Sequence, residues 1–261
     1  MKLLMALPDW YGVEYKINPW MDLDNPPRKS EALKQWNNLY SILKKLYPVE
    51  VLPYGKSMPD TVFTANAGFF PTSGHIIISN FKHKERQPEE DFFYSWFYRR
   101  GYTATRIPKN YSFEGEGDLL KCDNKFYGGY GFRSDKDVYK LISDIVKIDI
   151  SVLELVDPRW YHLDTALYFL DNKTAVFYPG AFSEESKKSI RDTFSTIEVI
   201  TKEALNFACN SIVINDTVIM PIRCPVLKSK LESLGKTVYE VNTSEFIKAG
   251  GSCKCLALWS Y

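Results

Sequence analysis

The run Cys255-Leu-Ala-Leu-Trp259 reads as an apolar strand, yet nothing beside it in sequence is fit to pair with it. The same holds for Lys2-Leu-Leu-Met-Ala6 at the other end of the chain. An unpaired strand leaves a row of backbone N–H and C=O groups unsatisfied, so two orphan strands are best satisfied by each other. Between them the sequence repeats itself. Four times an apolar strand meets a polar turn and a second strand follows. The pairs are 61–70 with 75–79, 118–121 with 126–130, 165–170 with 174–178, and 211–214 with 218–221. The intervening turns are rich in Asn, Asp and Gly, which tolerate the positive φ of tight hairpins.

A helical pattern follows each hairpin, over 88–100, 135–146, 183–194 and 225–234, helped by caps such as Ser183-Glu-Glu. Further strands follow over 103–107, 151–156, 198–201 and 237–241. One helix, 30–46, and its strand, 50–52, lack a hairpin, and the two terminal strands supply it. The chain therefore parses as five ββαβ units closed into a ring, an α/β fold whose inner strands border a central cavity. An ordinary α/β sandwich would leave the terminal strands without partners. No Gly/Ser linker or low-complexity tract divides the chain, so residues 1–261 read as a single domain.

Of the 261 residues, 45% are hydrophobic, enough for a substantial core. Lys plus Arg is 33 against 32 for Asp plus Glu, which gives no reason to expect nucleic acid or an anionic membrane as partner. No apolar run approaches a membrane span, and the opening MKLLMALPDW is cut short by Pro8 and Asp9. Five cysteines is an odd number at no disulfide-framework spacing, which points to reduced thiols and a cytoplasmic setting. No cofactor is implied, since there is no nucleotide-binding Gly motif and no P-loop. No metal is implied either. Glu114-Gly-Glu-Gly-Asp118 lacks the alternating ligands of a calcium loop, and Cys253-Lys-Cys255 has no second cysteine pair to complete a zinc clip. The aromatic cluster at 92–98 faces the core with enough excess for a partner surface, leaving a homo-oligomer as open as a monomer.

At the leading edges of the hairpins lie polar clusters. They are Pro59-Asp-Thr-Val-Phe-Thr-Ala-Asn66-Ala-Gly68, Phe113-Glu-Gly-Glu-Gly-Asp118, His162-Leu-Asp-Thr165 and Gly250-Gly-Ser-Cys-Lys-Cys255. Carboxylates and a His beside buried strands are costly unless they are paired or used. Of the three histidines, His83 lies in a Lys-rich stretch and His75 tips a strand, while His162 stands beside a carboxylate. Closure of the ring brings Glu114, His162, Asp164 and a Gly-flanked cysteine to matching positions. Cys253 and Cys255 are two residues apart, so an extended backbone points both to one face and their spacing does not choose between them.

FEGEGD, HLDT and GGSCKC, together with PDTVFTANAG, resemble the guanidino-group modifying enzymes over nearly the whole chain. That superfamily includes arginine deiminase, dimethylargininase, amidinotransferase and the cyanobacterial-type arginine dihydrolases. Its fold is the five-bladed α/β propeller, or pentein, in agreement with the five units. The resemblance implies that Cys255 is the nucleophile, His162 the general acid/base and Glu114 its carboxylate partner. It further implies that Asp164 binds the substrate guanidinium, and that Asp60 and Asn66 line the site. Arg86 and Arg133 would grip the substrate α-carboxylate, and Asn18 would reach in from a loop.

The activity so implied is cysteine-dependent hydrolysis of the guanidino group of a small-molecule substrate. Asn66 departs from the deiminase pattern, which more often has Asp there. An amide donates as well as accepts hydrogen bonds, so it suits both the guanidinium and a retained ureido product. That favours arginine dihydrolase, giving ornithine, CO2 and two ammonia. Arginine deiminase or dimethylargininase giving citrulline, an amidinotransferase, and a non-catalytic propeller that only binds are the alternatives.

Overall fold

The computed structural model describes residues 1–260. Its strands fall into five sheets of three, one for each unit. The first unit holds β1 (Lys2–Ala6), helix α1 (Lys29–Leu46) and β2 (Val49–Leu52). The second runs β3 (Gly68–Thr72), β4 (His75–Ile78), α2 (Pro88–Arg99), β5 (Thr103–Arg106). The third runs β6 (Leu119–Cys122), β7 (Lys125–Tyr130), α3 (Val138–Val146), β8 (Ile150–Glu154). In the fourth are β9 (Leu167–Phe169), β10 (Thr174–Phe177), α4 (Glu184–Thr193) and β11 (Ser195–Glu198), with the short helix α5 (Thr201–Ala204) after it. The fifth runs β12 (Ile212–Ile214), β13 (Thr217–Pro221), α6 (Pro225–Ser233) and β14 (Thr237–Val241), then the short helix α7 (Ser244–Ile247). Last comes β15 (Leu258–Ser260), which returns to the first unit.

Every sheet follows one rule. Two strands pair antiparallel, joined by a hairpin in all but the closing sheet, and the third adds in parallel after a helical crossover, as in β3-β4-β5. The terminal strands close the ring as their orphan edges demand. β15 pairs antiparallel with β1 in the register Lys2↔Ser260, Leu3↔Trp259, Leu4↔Leu258, and β2 adds in parallel on the other side. Leu3, Leu4, Met5 and Leu258 are fully buried there, and each such side chain stabilises the closed ring by about 1.5–3 kcal/mol relative to exposure. Helix α4 starts where its cap predicts, with Ser183 accepting the Ser186 N–H. Among the described residues no helix is long and apolar enough to cross a membrane.

The elements depart from expectation where the polar clusters lie. Residues 61–67 are not strand: Pro59–Val62 and Thr64–Ala67 form 3₁₀ turns, and the strand begins only at Gly68. Their backbone groups find partners outside any ladder. The Asn66 N–H donates to the Phe63 carbonyl, the Ala65 N–H to the Cys255 carbonyl, and Thr64 Oγ1 accepts from the Ala6 N–H. The same shortening shifts the start of β9, because Leu163–Thr165 is a 3₁₀ turn. Cys255 likewise sits in a turn, with the strand starting at Leu258. The strand expected at 198–201 lies earlier, at Ser195–Glu198, since Thr201 opens α5. Helix α3 starts three residues later than 135, because the Asp135 side chain accepts the Ser112 N–H and the Asp135 N–H donates to the Ser112 carbonyl.

Candidate active site

The turns that precede the inner strands converge at the hub of the ring. The His162 imidazole meets the Glu114 carboxylate there, Nε2 to Oε2 at 2.7 Å, and Arg133 Nη1 donates to the same oxygen at 3.0 Å. Glu114 is fully buried. Burial alone would raise its carboxyl, but Arg133, His162 and Arg86 together hold it well below the usual carboxylate range. Asp118 braces the neighbouring turns: its Oδ1 accepts the Leu163 N–H at 3.1 Å and its Oδ2 accepts the Ser134 hydroxyl at 2.6 Å. Glu114 thus holds the imidazole at Nε2, while Asp118 fixes the backbone of the next residue.

Residues 253–256 form a turn, and this separates the two cysteines that an extended segment would have aimed together. Cys255 lines the hub cavity and Cys253 does not. The Cys253 thiol is pushed up to about 12 by burial, and its sulfur accepts a weak hydrogen bond from the Ser252 hydroxyl at 3.9 Å. Cys255 Sγ lies 3.4 Å from Asp164 Oδ2 and 3.1 Å from Asn210 Nδ2. Burial, and then the Asp164 charge, holds the Cys255 thiol well above the ordinary thiol range. Burial also raises Asp164, to about 7, against the pull of Lys254. At rest this pair therefore keeps a proton, and a cation arriving beside it would release one.

Asn66 and Arg86 interlock. Arg86 Nη1 donates to Asn66 Oδ1 at 3.0 Å and Asn66 Nδ2 donates to the Glu114 carbonyl at 2.9 Å. Guanidinium only donates and a carbonyl only accepts, so the amide orientation is forced. One N–H and one lone pair of Asn66 remain unused. Arg86 itself is heavily committed: Nε and Nη2 grip Glu89 at 2.9 and 2.8 Å, and Nη2 also reaches the Asp60 carbonyl. Asp60 Oδ2 accepts the Tyr15 hydroxyl at 2.8 Å, while its buried Oδ1 has no hydrogen-bond partner. Asn18 donates from Nδ2 to the Ala249 carbonyl at 3.0 Å.

Seven of the nine site residues expected from sequence line one small cavity, with Ile17, Met21, Phe63, Tyr161 and Gly250 among its other walls. Glu114 stands behind that lining, against His162 and Arg133, while Asp164 touches Cys255 and borders a second cavity of about 460 Å³. The two cavities share no lining residue, and a buried Lys254–Glu116 ion pair of 2.7 Å belongs to the second. The smaller cavity is the candidate site despite its size, since Cys255 and His162 line it and not the larger one. Asn210 was not signalled by any motif. Its clue was positional, two residues ahead of β12, as Asn66 is two ahead of β3.

Gly117 allows this close approach. A Cβ built there would stand 2.3 Å from Asn66 Nδ2 and 3.4 Å from the His162 ring. Gly117→Ala is therefore expected to push Asn66 and His162 apart, with a loss of about 1–3 kcal/mol in stability from overpacking. The displacement of about 1 Å should cost roughly 10²-fold in turnover. Thermal unfolding and steady-state rates of the variant check both.

A ring of five ββαβ blades with cysteine, histidine and paired carboxylates at its hub defines the guanidino-group modifying class of pentein fold. The chain belongs to the N,N-dimethylarginine dimethylhydrolase family, whose eukaryotic family model matches residues 16–258. It is 40% identical over 264 residues to the bifunctional arginine dihydrolase/ornithine cyclodeaminase AgrE of Nostoc sp., a match covering 99% of this chain and 37% of that protein. The N(G),N(G)-dimethylarginine dimethylaminohydrolase of Mycobacterium tuberculosis is 34% identical over 97% of this chain and 84% of its own length. The substrate-bound mutant N-terminal domain of ArgZ, an arginine dihydrolase from cyanobacteria, superposes with a TM-score of 0.94 at 38% identity, covering 98% of this chain and 96% of that one. The chain thus spans 37% of the length of AgrE and of its Synechocystis counterpart ArgZ.

Proposed function

We propose that this chain, acting through residues 1–261 as one catalytic unit, hydrolyses L-arginine to ornithine, CO2 and two ammonia through covalent intermediates on Cys255. The observation that carries this reading is the gathering of Cys255, His162 and Asn66 around one cavity, with a donor and an acceptor of the Asn66 amide still free. The guanidinium enters beside Asp60, whose Oδ1 awaits a donor, and near Asp164. Its positive charge within a few ångströms of Sγ favours the thiolate. Sulfur then adds to the guanidino carbon. His162, hydrogen-bonded to Glu114, protonates the departing ammonia, and an amidino-thioether remains. Water, deprotonated by the now neutral imidazole, displaces sulfur and leaves a ureido group.

Asn66 then retains the neutral ureido product through its spare N–H, where a carboxylate would only accept. A second attack by sulfur expels the second ammonia, and hydrolysis of the resulting thiocarbamate gives a carbamate that loses CO2. Arg133 keeps three N–H groups unused by protein acceptors and Arg86 keeps one, so Arg133 is the main holder of the substrate carboxylate. The cavity, about 10 Å³, has room for about one water, so its walls must part to admit arginine.

The test incubates purified protein with L-arginine and measures citrulline, ornithine and ammonia together. Two ammonia per ornithine with no accumulation of citrulline is expected. Citrulline with one ammonia would demote the activity to deimination. The family match favours a second reading, hydrolysis of N-methylated arginine to citrulline. Consumption of dimethylarginine with arginine left intact would establish that reading instead.

A further inference from the structure

We propose that Asn210 is a further catalytic residue, which aims the Cys255 sulfur and stabilises its thiolate through an N–H···S hydrogen bond. This assignment rests on Cys255 being the nucleophile, as proposed above. Asn210 is fully buried and comes from the fifth unit, which supplies none of the other site residues. Its Oδ1 accepts two backbone N–H groups, those of Ser252 and Cys255, both at 3.1 Å. Its own carbonyl accepts the Lys254 N–H at 3.2 Å. One residue therefore ties down three positions of the turn that presents the sulfur.

The orientation of the amide is forced by these partners. Oδ1 faces two donors, and Nδ2 faces the Asp164 carbonyl at 2.9 Å, so the atom 3.1 Å from Sγ is the donor. A neutral thiol sulfur accepts weakly and a thiolate strongly, so this bond strengthens as the sulfur loses its proton. Asp164 acts in the opposite sense. Its carboxylate, 3.4 Å from the same sulfur, accepts the S–H proton and favours the thiol. The backbone bears a cost to hold Asn210 in place. Phe207, three residues earlier, is a fully buried non-glycine residue with φ of 61°, and its carbonyl accepts the Asn210 N–H at 2.8 Å.

The experiment follows the rate of Cys255 alkylation by iodoacetamide against pH, with the modified peptide located by mass spectrometry. Wild type is compared with Asn210→Asp, which keeps an acceptor for the two backbone N–H groups but sets an unprotonated oxygen against the sulfur. The alkylation midpoint of the variant is expected to rise by about one to two pH units. Its kcat for arginine should fall roughly 10²-fold with KM little changed, as for a lost transition-state donor. Where the buried charge prevents folding, Asn210→Ser carries the same test with a smaller upward shift. An unchanged midpoint in either folded variant overturns the proposal, whatever happens to its melting temperature. Alkylation needs no substrate, so a wild type that alkylates at Cys255 but does not consume arginine contradicts the proposed activity, while the midpoints still decide the role of Asn210.

Discussion

Cys255→Ser is expected to lose turnover on every guanidino substrate by about 10⁴-fold or more, while Cys253→Ser keeps most of its rate. The two thiols differ in surroundings rather than in sequence context. Cys255 borders the cavity, with its sulfur between Asp164 and Asn210. A serine hydroxyl there is a far weaker nucleophile, since its proton leaves at much higher pH than a thiol's. Cys253 is fully buried among apolar side chains. Serine at 253 would place a hydroxyl in that core at a cost of about 1–3 kcal/mol, so its melting temperature should fall while kcat holds. Ammonia release and thermal unfolding measured on both variants separate the two roles. Comparable loss of activity in both would contradict the assignment.

Glu114→Gln should be nearly as damaging, by roughly 10²–10⁴-fold in kcat. The carboxylate is the shared partner of His162 at 2.7 Å and Arg133 at 3.0 Å. The amide would remove the negative charge beside His162 Nε2, the proposed donor to ammonia. It would also leave the buried Arg133 guanidinium, 3% exposed as a residue, without its counter-ion. Breaking one half of a buried pair costs about 3–5 kcal/mol. The pH dependence has a definite sign. The carboxyl of Glu114 is lowered in the folded state, so its contribution is complete above the ordinary Glu value of about 4.3 and fades as the pH falls below it. The stability gap between wild type and Glu114→Gln should therefore be widest near neutrality and shrink in acid. A gap that grew in acid would mean that Glu114 folds protonated.

The ring was legible in the sequence because its signals are local. Turn residues mark the hairpins, apolar periodicity marks the helices, and the unpaired runs at 2–6 and 255–259 demand each other. The hub was legible only in part. Glu114 and Cys255 stand in Gly-rich motifs and His162 beside a carboxylate, yet 61–67 and Cys255 were read as extended strand. In 59–67 the backbone turns through 3₁₀ geometry because its partners, such as the Cys255 carbonyl, lie far off in sequence. For the same reason the choice between Cys253 and Cys255 was closed to spacing arguments and is open to coordinates. Asn210 shows the limit most clearly. An Asn before a strand carries no signal by itself, and its four polar contacts at 252, 255 and 164 are made across 42 or more residues. Arg86 is the converse case. The family resemblance implied a carboxylate-binding role for it, and its buried grip on Glu89 leaves it a single free N–H.

The covalent step can be caught directly. Wild-type protein mixed with L-arginine, quenched in acid within the first turnovers and weighed intact, should carry an adduct equal in mass to arginine less ammonia. Peptide mapping should place it on Cys255 and nowhere else. Steady release of ammonia with no adduct on any residue, or an adduct on a different one, would contradict the assignment of Cys255 as the nucleophile.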